Sequence, residues 1–253
     1  MINFDLTGKT ALITGSTRGL GFAIATAFAD HGARVAINGR DPQGVAEAME
    51  QLGDTPLPAV AAAFDVADSA ATRQVVGDLL SAHGSIDILV NNAGIIHRAP
   101  LSEISDEDWC RVLDVNINGA FRLAKLCLPG MTDKGWGRII NIGSVMSQVA
   151  RPTISPYVTS KHAINGLTKA LAVEFGPAGI TCNTIGPGYF ATELNAPLVA
   201  DKEFDAMVKS RTPAGRWGQV EEIAAMAVYL ASEAAGYTNG GLLMVDGGMT
   251  AAL

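Results

Sequence analysis

The chain has 253 residues, 48% of them hydrophobic, with 18 Lys+Arg against 25 Asp+Glu and a net charge of −7. That composition supports one sizeable core and argues against disorder, and the lack of a basic stripe gives nucleic-acid binding no support. Cys110, Cys127 and Cys182 are scattered without a CxxC pair, and the four histidines lack metal-ligand spacing, so neither a disulfide framework nor a metal site is expected.

The N-terminal MINFDLTGKT has no charged segment followed by an apolar one, and no uncharged apolar run reaches about 18 residues. A cytoplasmic chain with neither signal peptide nor membrane span is expected. Short apolar runs then alternate with helical patterns. KTALIT (9–14) reads as a strand, 19–32 as a helix ending in glycine, ARVAIN (33–38) as a strand and about 41–52 as a helix. AVAAAFDV (59–66) holds an Ala-rich strand, 69–83 a helix and IDILVNN (86–92) a buried strand. A long helical pattern covers about 105–131, with Pro129 as a late interruption. GRIINIGS (137–144) is a strand, 155–176 a long helix and ITCNTIGPG (180–188) a strand ending in glycines. Residues 189–216 lack a strand period, though 201–210 suits a short helix; a helix at about 219–232 and a strand at about 241–245 follow.

Strand–helix alternation of this kind predicts parallel strands joined by right-handed crossovers. The expected fold class is α/β, a three-layer doubly wound Rossmann fold with one parallel sheet of about seven strands, as a single domain over 1–253. Ligands bind such sheets beyond the carboxyl ends of the strands. Chemistry is therefore expected at 14–21, 38–40, 65–66, 91–98, 141–148 and 186–192.

TGSTRGLG (14–21) joins the first strand to the first helix. Glycines there let backbone approach a pyrophosphate at the positive end of the helix, which makes Gly15, Ser16, Thr17, Arg18, Gly19, Leu20 and Gly21 candidate cofactor contacts. NAD binders usually place an acid at the end of the second strand, about 20 residues on, for the ribose hydroxyl. Here that position reads Asn38, Gly39, Arg40. No carboxylate repels a 2′-phosphate, and Arg18 and Arg40 suit one, so NADP(H) is favoured over NAD(H). Asp65, with Val66 beside it, ends the third strand, where its carboxylate suits either the adenine amino group or a turn before the next helix.

SPYVTSKHA sets Tyr157 and Lys161 one helical turn apart. A free phenol, with a pKa of about 10, is a poor base near neutrality. An ammonium about 6 Å away, at an effective dielectric of about 20, would favour phenolate by about 3 kcal/mol.

TGSTRGLG, NNAG (91–94), Asn116, Ser144 and the Tyr157/Lys161 pair together resemble the short-chain dehydrogenase/reductase family, in order and spacing, over essentially the whole chain. The resemblance implies hydride transfer between a nicotinamide and a carbonyl or alcohol carbon, with Tyr157 as general acid/base. Lys161 would hold the nicotinamide ribose and Ser144 the substrate oxygen. Asn116 would bend its helix and hold a water of a proton relay to Lys161. Asn91 would anchor the sheet, and Asn92, Ala93 and Gly94 would line the cofactor. Pro187, Gly188 and Thr192 would cradle the nicotinamide.

AGIIHRAP (93–100), GPGYFATEL (186–194), RTPAGRWG (211–218) and VDGGM (245–249) resemble the sugar-acid dehydrogenases of that family. Arg98 is then the candidate for a substrate carboxylate, Gln148 for substrate hydroxyls, and 189–216 for a mobile substrate lid. The expected reaction interconverts a sugar-acid secondary alcohol and its ketone, of the D-gluconate/5-ketogluconate type. A 2-deoxy or 3-keto sugar acid and a 3-oxoacyl thioester are the alternatives. A cofactor-binding sensor without catalysis should lack the tyrosine or the lysine, and both are present. The resemblance also implies a homotetramer, joined through the two long helices, whose ligands are a small-molecule substrate and the cofactor.

Overall fold

In the computed structural model, which describes residues 3–252, seven apolar runs pair as parallel strands in the order β3-β2-β1-β4-β5-β6-β7. They are β1 (Thr10–Ile13), β2 (Arg34–Gly39), β3 (Val60–Ala63), β4 (Ile88–Asn91), β5 (Gly137–Ile142), β6 (Ile180–Pro187) and β7 (Leu242–Val245). The helices are α1 (Gly19–Asp30), α2 (Pro42–Leu52), α3 (Ser69–His83), α4 (Asp106–Leu113), α5 (Gly119–Lys134), α6 (Ser155–Phe175), α7 (Ala196–Ala200), α8 (Lys202–Arg211) and α9 (Val220–Ala231).

Strand parity explains the two cores. Alternate residues of a strand face opposite sides, so Ala11 and Ile13 meet Ile24 and Phe28 of α1 and Ile223 and Ala227 of α9. Leu12 and Leu89 face the other way, onto Val76 of α3, Leu123 of α5 and Leu171 of α6. Both faces of the sheet are covered, as buried parallel strands require. The register pairs Leu12 with Ala36 and with Leu89. All seven strands therefore end on one edge, and the order reverses direction between β1 and β4, the position at which such sheets open a crevice.

The helical pattern read over 105–131 is observed, with two differences. Ser105 caps it, its hydroxyl accepting from Asp108 N–H at 3.0 Å. Residues 114–118 then widen into a π turn between α4 and α5. Pro129 does not end α5, which continues to Lys134 and closes at left-handed Gly135. The carbonyl that loses its partner belongs to Lys125, which is exposed to water, so the proline is tolerated. Residues 189–216, read as a lid, carry α7 and α8. Tyr189 stands edge-on to Phe204 and to Trp217, with ring centroids 5.7 Å apart in each pair. Among the described residues no helix is long and apolar enough to cross a membrane.

Candidate active site

The glycine turn forms because β1 ends one crevice wall and α1 begins the next. Gly15 and Gly19 take φ of 60° and 59°, a region that side chains resist. Gly21 is needed for space instead: a Cβ there would lie 2.5 Å from Gly15 O and from Asn92 Nδ2. Arg18 gives α1 no side-chain cap, so the first-turn N–H groups stay open for an anion.

Two of the expected cofactor contacts are consumed by the protein. Ser16 and Asn38 are both buried and lock the turn onto β2. Ser16 N–H donates to Asn38 O at 2.8 Å, and Asn38 N–H donates to Ser16 Oγ at 2.9 Å. Asn38 Oδ1 accepts from Gly15 N–H, while its Nδ2 donates to Ala62 O and Phe64 O. Asn38 thus holds β1, β2 and β3 in place and has no donor left for a ribose. Its neighbour Gly39 is a glycine for space, since a Cβ there would meet Thr17 Cγ2 at 2.6 Å.

Arg18 and Arg40 differ in this respect. Both are exposed, and neither guanidinium has an ion pair or hydrogen bond among the described residues. Leu20 lies half-buried on the turn. At the end of β3, Asp65 Oδ1 accepts from Ala67 N–H at 2.9 Å, but the cap of α3 is Asp68, which accepts from Ala70 and Ala71. Val66 is buried against Gly119. Asn92 Nδ2 donates to Thr14 O and Gly15 O, which leaves Ala93 and Gly94 on the crevice. A Cβ on Gly94 would sit 3.5 Å from Asn116 Oδ1 and 3.7 Å from Lys161 Nζ. On the other wall a Cβ on Gly19 would sit 3.9 Å from Thr192, Pro187 ends β6, and Gly188 packs against Asp246. Open helix N–H groups, glycine clearances and unpaired guanidiniums fit an extended dinucleotide bearing phosphates.

Tyr157, Lys161, Ser144 and Asn116 converge at this edge. Lys161 Nζ lies 5.5 Å from the Tyr157 ring centroid and donates to Ile142 O at 2.6 Å. Burial brings its pKa down to about 8. Ser144 Oγ accepts from Met146 N–H at 3.1 Å, so its own proton remains available for the phenol or a substrate oxygen.

The phenol departs from the sequence expectation. Its pKa is raised, first by burial; the Ser144 hydroxyl and then the Arg98 guanidinium pull it back, and Tyr189 adds to the rise. The phenol therefore holds its proton at neutral pH, as an acid for ketone reduction must. Asn116 differs as well. Its Nδ2 donates to Ile95 O at 2.9 Å and Ser160 Oγ at 3.0 Å, and its Oδ1 accepts from Ile95 N–H at 2.8 Å. Both amide protons are spent, so the side chain acts as a clamp on the loop that carries Arg98, with only an Oδ1 lone pair left for a water. The π turn that contains it is the local bend expected there.

Ser160, Asn141, Thr168, Thr184 and Arg151 escaped the sequence reading. Buried Ser160 joins Asn116 to the Tyr157 carbonyl, which accepts from Ser160 Oγ at 2.7 Å. Asn91 Nδ2 donates to Asn141 Oδ1, whose Nδ2 donates to Thr168 Oγ1, beside Thr184. This buried polar chain ties β4, β5 and β6 to α6. Arg151 Nη1 donates to Tyr189 OH at 3.2 Å and joins the catalytic loop to the 189–216 segment. Gln148 is exposed just beyond Ser144. A separate apolar groove of about 760 Å³ between α1 and α9 shares only Gly19 and Thr192 with these residues.

Comparison with known proteins now adds to the geometry. A family model described as Enoyl-(Acyl carrier protein) reductase matches residues 15–250. Gluconate 5-dehydrogenase of Gluconobacter oxydans is 45% identical over 250 residues, covering 99% of this chain and 98% of the relative. The chain belongs to the short-chain dehydrogenase/reductase family. Its members with solved structures superpose closely. A gluconate 5-dehydrogenase from Burkholderia cenocepacia, in complex with NADP and tartrate, has a TM-score of 0.94 at 45% identity and covers 99% and 98% of the two chains. A short-chain type dehydrogenase/reductase from Mycobacterium marinum has a TM-score of 0.92 at 35% identity and covers 98% of each chain. This short-chain dehydrogenase/reductase is an NAD(P)-dependent oxidoreductase acting on CH–OH groups.

Proposed function

We propose that this short-chain dehydrogenase/reductase is a cytoplasmic NADP(H)-dependent sugar-acid dehydrogenase, interconverting a secondary alcohol and its ketone of the D-gluconate/5-ketogluconate type. The observation that carries the reading is the position of Arg98. Its guanidinium, exposed on the arm that follows β4, lowers the pKa of the Tyr157 phenol by its charge, so a cation faces the side of the crevice where a proton must be gained or lost. A carboxylate a few carbons from the reacting carbon finds its bidentate donor there. The names of the Gluconobacter and Burkholderia relatives, and the NADP and tartrate bound to the latter, support the same substrate class and cofactor.

A bound nicotinamide dinucleotide supplies or accepts the hydride. Arg18 and Arg40 would hold its 2′-phosphate, the 15–21 turn its pyrophosphate, and Lys161 its ribose hydroxyls. Tyr157 donates its proton to the ketone oxygen in reduction and accepts it back in oxidation. Ser144 O–H steadies the charge that develops on that oxygen. Arg98 orients the substrate and eases ionisation of the phenol in the oxidative direction. Gln148, exposed just beyond Ser144, would contact substrate hydroxyls, and residues 189–216, tied to Arg151 through Tyr189, would form the lid.

The test is a panel of gluconate, ketogluconates, deoxy and 3-keto sugar acids, uncharged polyols and acetoacetyl thioesters, each with NADPH or NADH and the oxidised forms. Sugar acids with the phosphorylated cofactor should give the highest kcat/KM. Compared above the alkaline rise of each protein's pH profile, Arg98→Leu should lose activity on sugar acids and retain it on polyols, and an equal loss on both overturns the carboxylate assignment. Self-association as a homotetramer is proposed on the exposed apolar side chains of the two long helices, Phe121 at 51% and Val173 at 80%. Light scattering after size exclusion measures it.

A further inference from the structure

Among the described residues one non-glycine side chain occupies the left-handed region: Thr153, at φ 68°. A β-branched residue is among the least suited to that conformation, and such strain persists only where the surroundings enforce it. Thr153 is exposed, so its packing does not enforce the turn. The backbone supplies the reason. Thr153 O accepts from Ala99 N–H at 2.9 Å.

Ala99 is the neighbour of Arg98. Three residues before Arg98, Ile95 has both backbone groups gripped by Asn116, at 2.8 and 2.9 Å. The arm 95–99 is thus held at two points, Ile95 from the π turn and Ala99 from Thr153. Arg98 stands between them and makes no ion pair of its own among the described residues. Two residues before Thr153, Arg151 binds Tyr189 OH, and two residues after it α6 begins. The 151–153 turn therefore links three things: the Arg98 arm, the 189–216 segment and the helix that carries Tyr157.

We propose that Thr153 is a positioning residue, whose left-handed backbone aims its carbonyl at Ala99 N–H and so sets the reach of Arg98 to the reacting oxygen at Tyr157. This rests on the role given to Arg98 above. A residue barred from positive φ has to adopt another φ/ψ pair, which re-aims the carbonyl and frees the arm at one end. Glycine takes the same conformation without the steric cost. Proline, with φ held near −65°, is barred from it.

The experiment compares Thr153→Gly, Thr153→Pro and Arg98→Leu on the full-length protein, with folding checked by circular dichroism. The first readout needs no substrate. Ionisation of the Tyr157 phenol is followed by absorbance near 295 nm, each protein being measured against its own Tyr157→Phe version. The other groups that face the phenol, Ser144, Lys161 and Tyr189, are unchanged throughout. Thr153→Pro should move the titration upward in the same direction as Arg98→Leu, and Thr153→Gly should leave it in place. The second readout is KM and kcat on a sugar acid and an uncharged polyol. Thr153→Pro should raise the sugar-acid KM by about tenfold or more and leave the polyol within about twofold, while Thr153→Gly stays within about twofold on both. If Thr153→Pro does not fold, Ala99→Pro replaces it, removing the N–H partner instead of the carbonyl's aim.

A phenol titration that Thr153→Pro leaves where the wild type has it, while Arg98→Leu moves it, overturns the proposal. An equal loss on sugar acid and polyol does so too. Should sugar acids prove not to be substrates, the titration still decides the positioning role, so failure of the function and failure of this inference are separable.

Discussion

Lys161 is a buried cation without a carboxylate partner among the described residues, and that gives a stability prediction of known sign. Its ammonium donates to Ile142 O, and burial brings its pKa down to about 8 from an ordinary lysine's 10.5. Between about pH 8 and 10.5 the unfolded chain keeps a proton that the folded chain has released, so the lysine makes stability rise with pH across that window. Below it the folded state carries the full cost of a buried charge, about 3 kcal/mol at 1.36 kcal/mol per pH unit. Lys161→Met keeps most of the aliphatic volume and removes the charge. Allowing for the lost hydrogen bond, the cofactor-free variant should be more stable than wild type by about 1–3 kcal/mol at pH 7. It should also lack the wild-type gain of about 1.4 kcal/mol between pH 7 and 9. Urea denaturation at pH 7, 8 and 9, at one fixed protein concentration, measures both. Subtracting variant from wild type cancels the other titrating groups, and a difference that is flat or falls with pH refutes the reasoning. The variant should lose turnover while it gains stability, the pattern of a site residue strained for its task.

Other expectations are more compact. Gly21→Ala places a methyl 2.5 Å from a backbone oxygen of the phosphate turn, so it should cost about 1–3 kcal/mol in denaturation and weaken dinucleotide binding measured by fluorescence titration. Arg18→Leu with Arg40→Asp should reverse the NADPH-over-NADH preference in kcat/KM; an unchanged ratio would show that these guanidiniums do not read the 2′-phosphate. Cys110 is exposed, while Cys127 and Cys182 are buried with thiols pushed up to about 12. Ellman's reagent should therefore label one thiol rapidly in the native protein and three in denaturant. Because Arg98 favours the phenolate, Arg98→Leu should move the alkaline rise of polyol oxidation to higher pH, as read from the pH dependence of kcat/KM.

The strands, the flanking helices and the edge at which chemistry collects were legible in the chain. Buried parallel strands are near-continuous apolar runs, and α3 begins and ends where its pattern does, from Ser69 to His83. The glycine turn and the Tyr157–Lys161 spacing are local features, and local geometry follows from local sequence. The π turn at 114–118 was legible only through the resemblance that singled out Asn116, because its residues have no propensity that separates a π turn from an α one. The helix α7 (Ala196–Ala200) carries too short a period to be read.

The architecture and the set of reactive groups can be read from the chain: which runs are buried, where the phosphate turn lies, and that a phenol, a lysine, a serine and an arginine are available to one edge. How those groups are used depends on the folded arrangement. Asn38 and Ser16 look like ligands for a cofactor until β1, β2 and β3 close around them and consume their hydrogen bonds. The Tyr157 phenol looks depressed by its lysine until burial, the larger effect, raises it. The Asn116 amide looks free until Ile95 and Ser160 take both of its protons. The physical reason is common to all three. Desolvation and hydrogen-bond saturation depend on groups tens of residues apart in the chain, and these meet only when the sheet has formed.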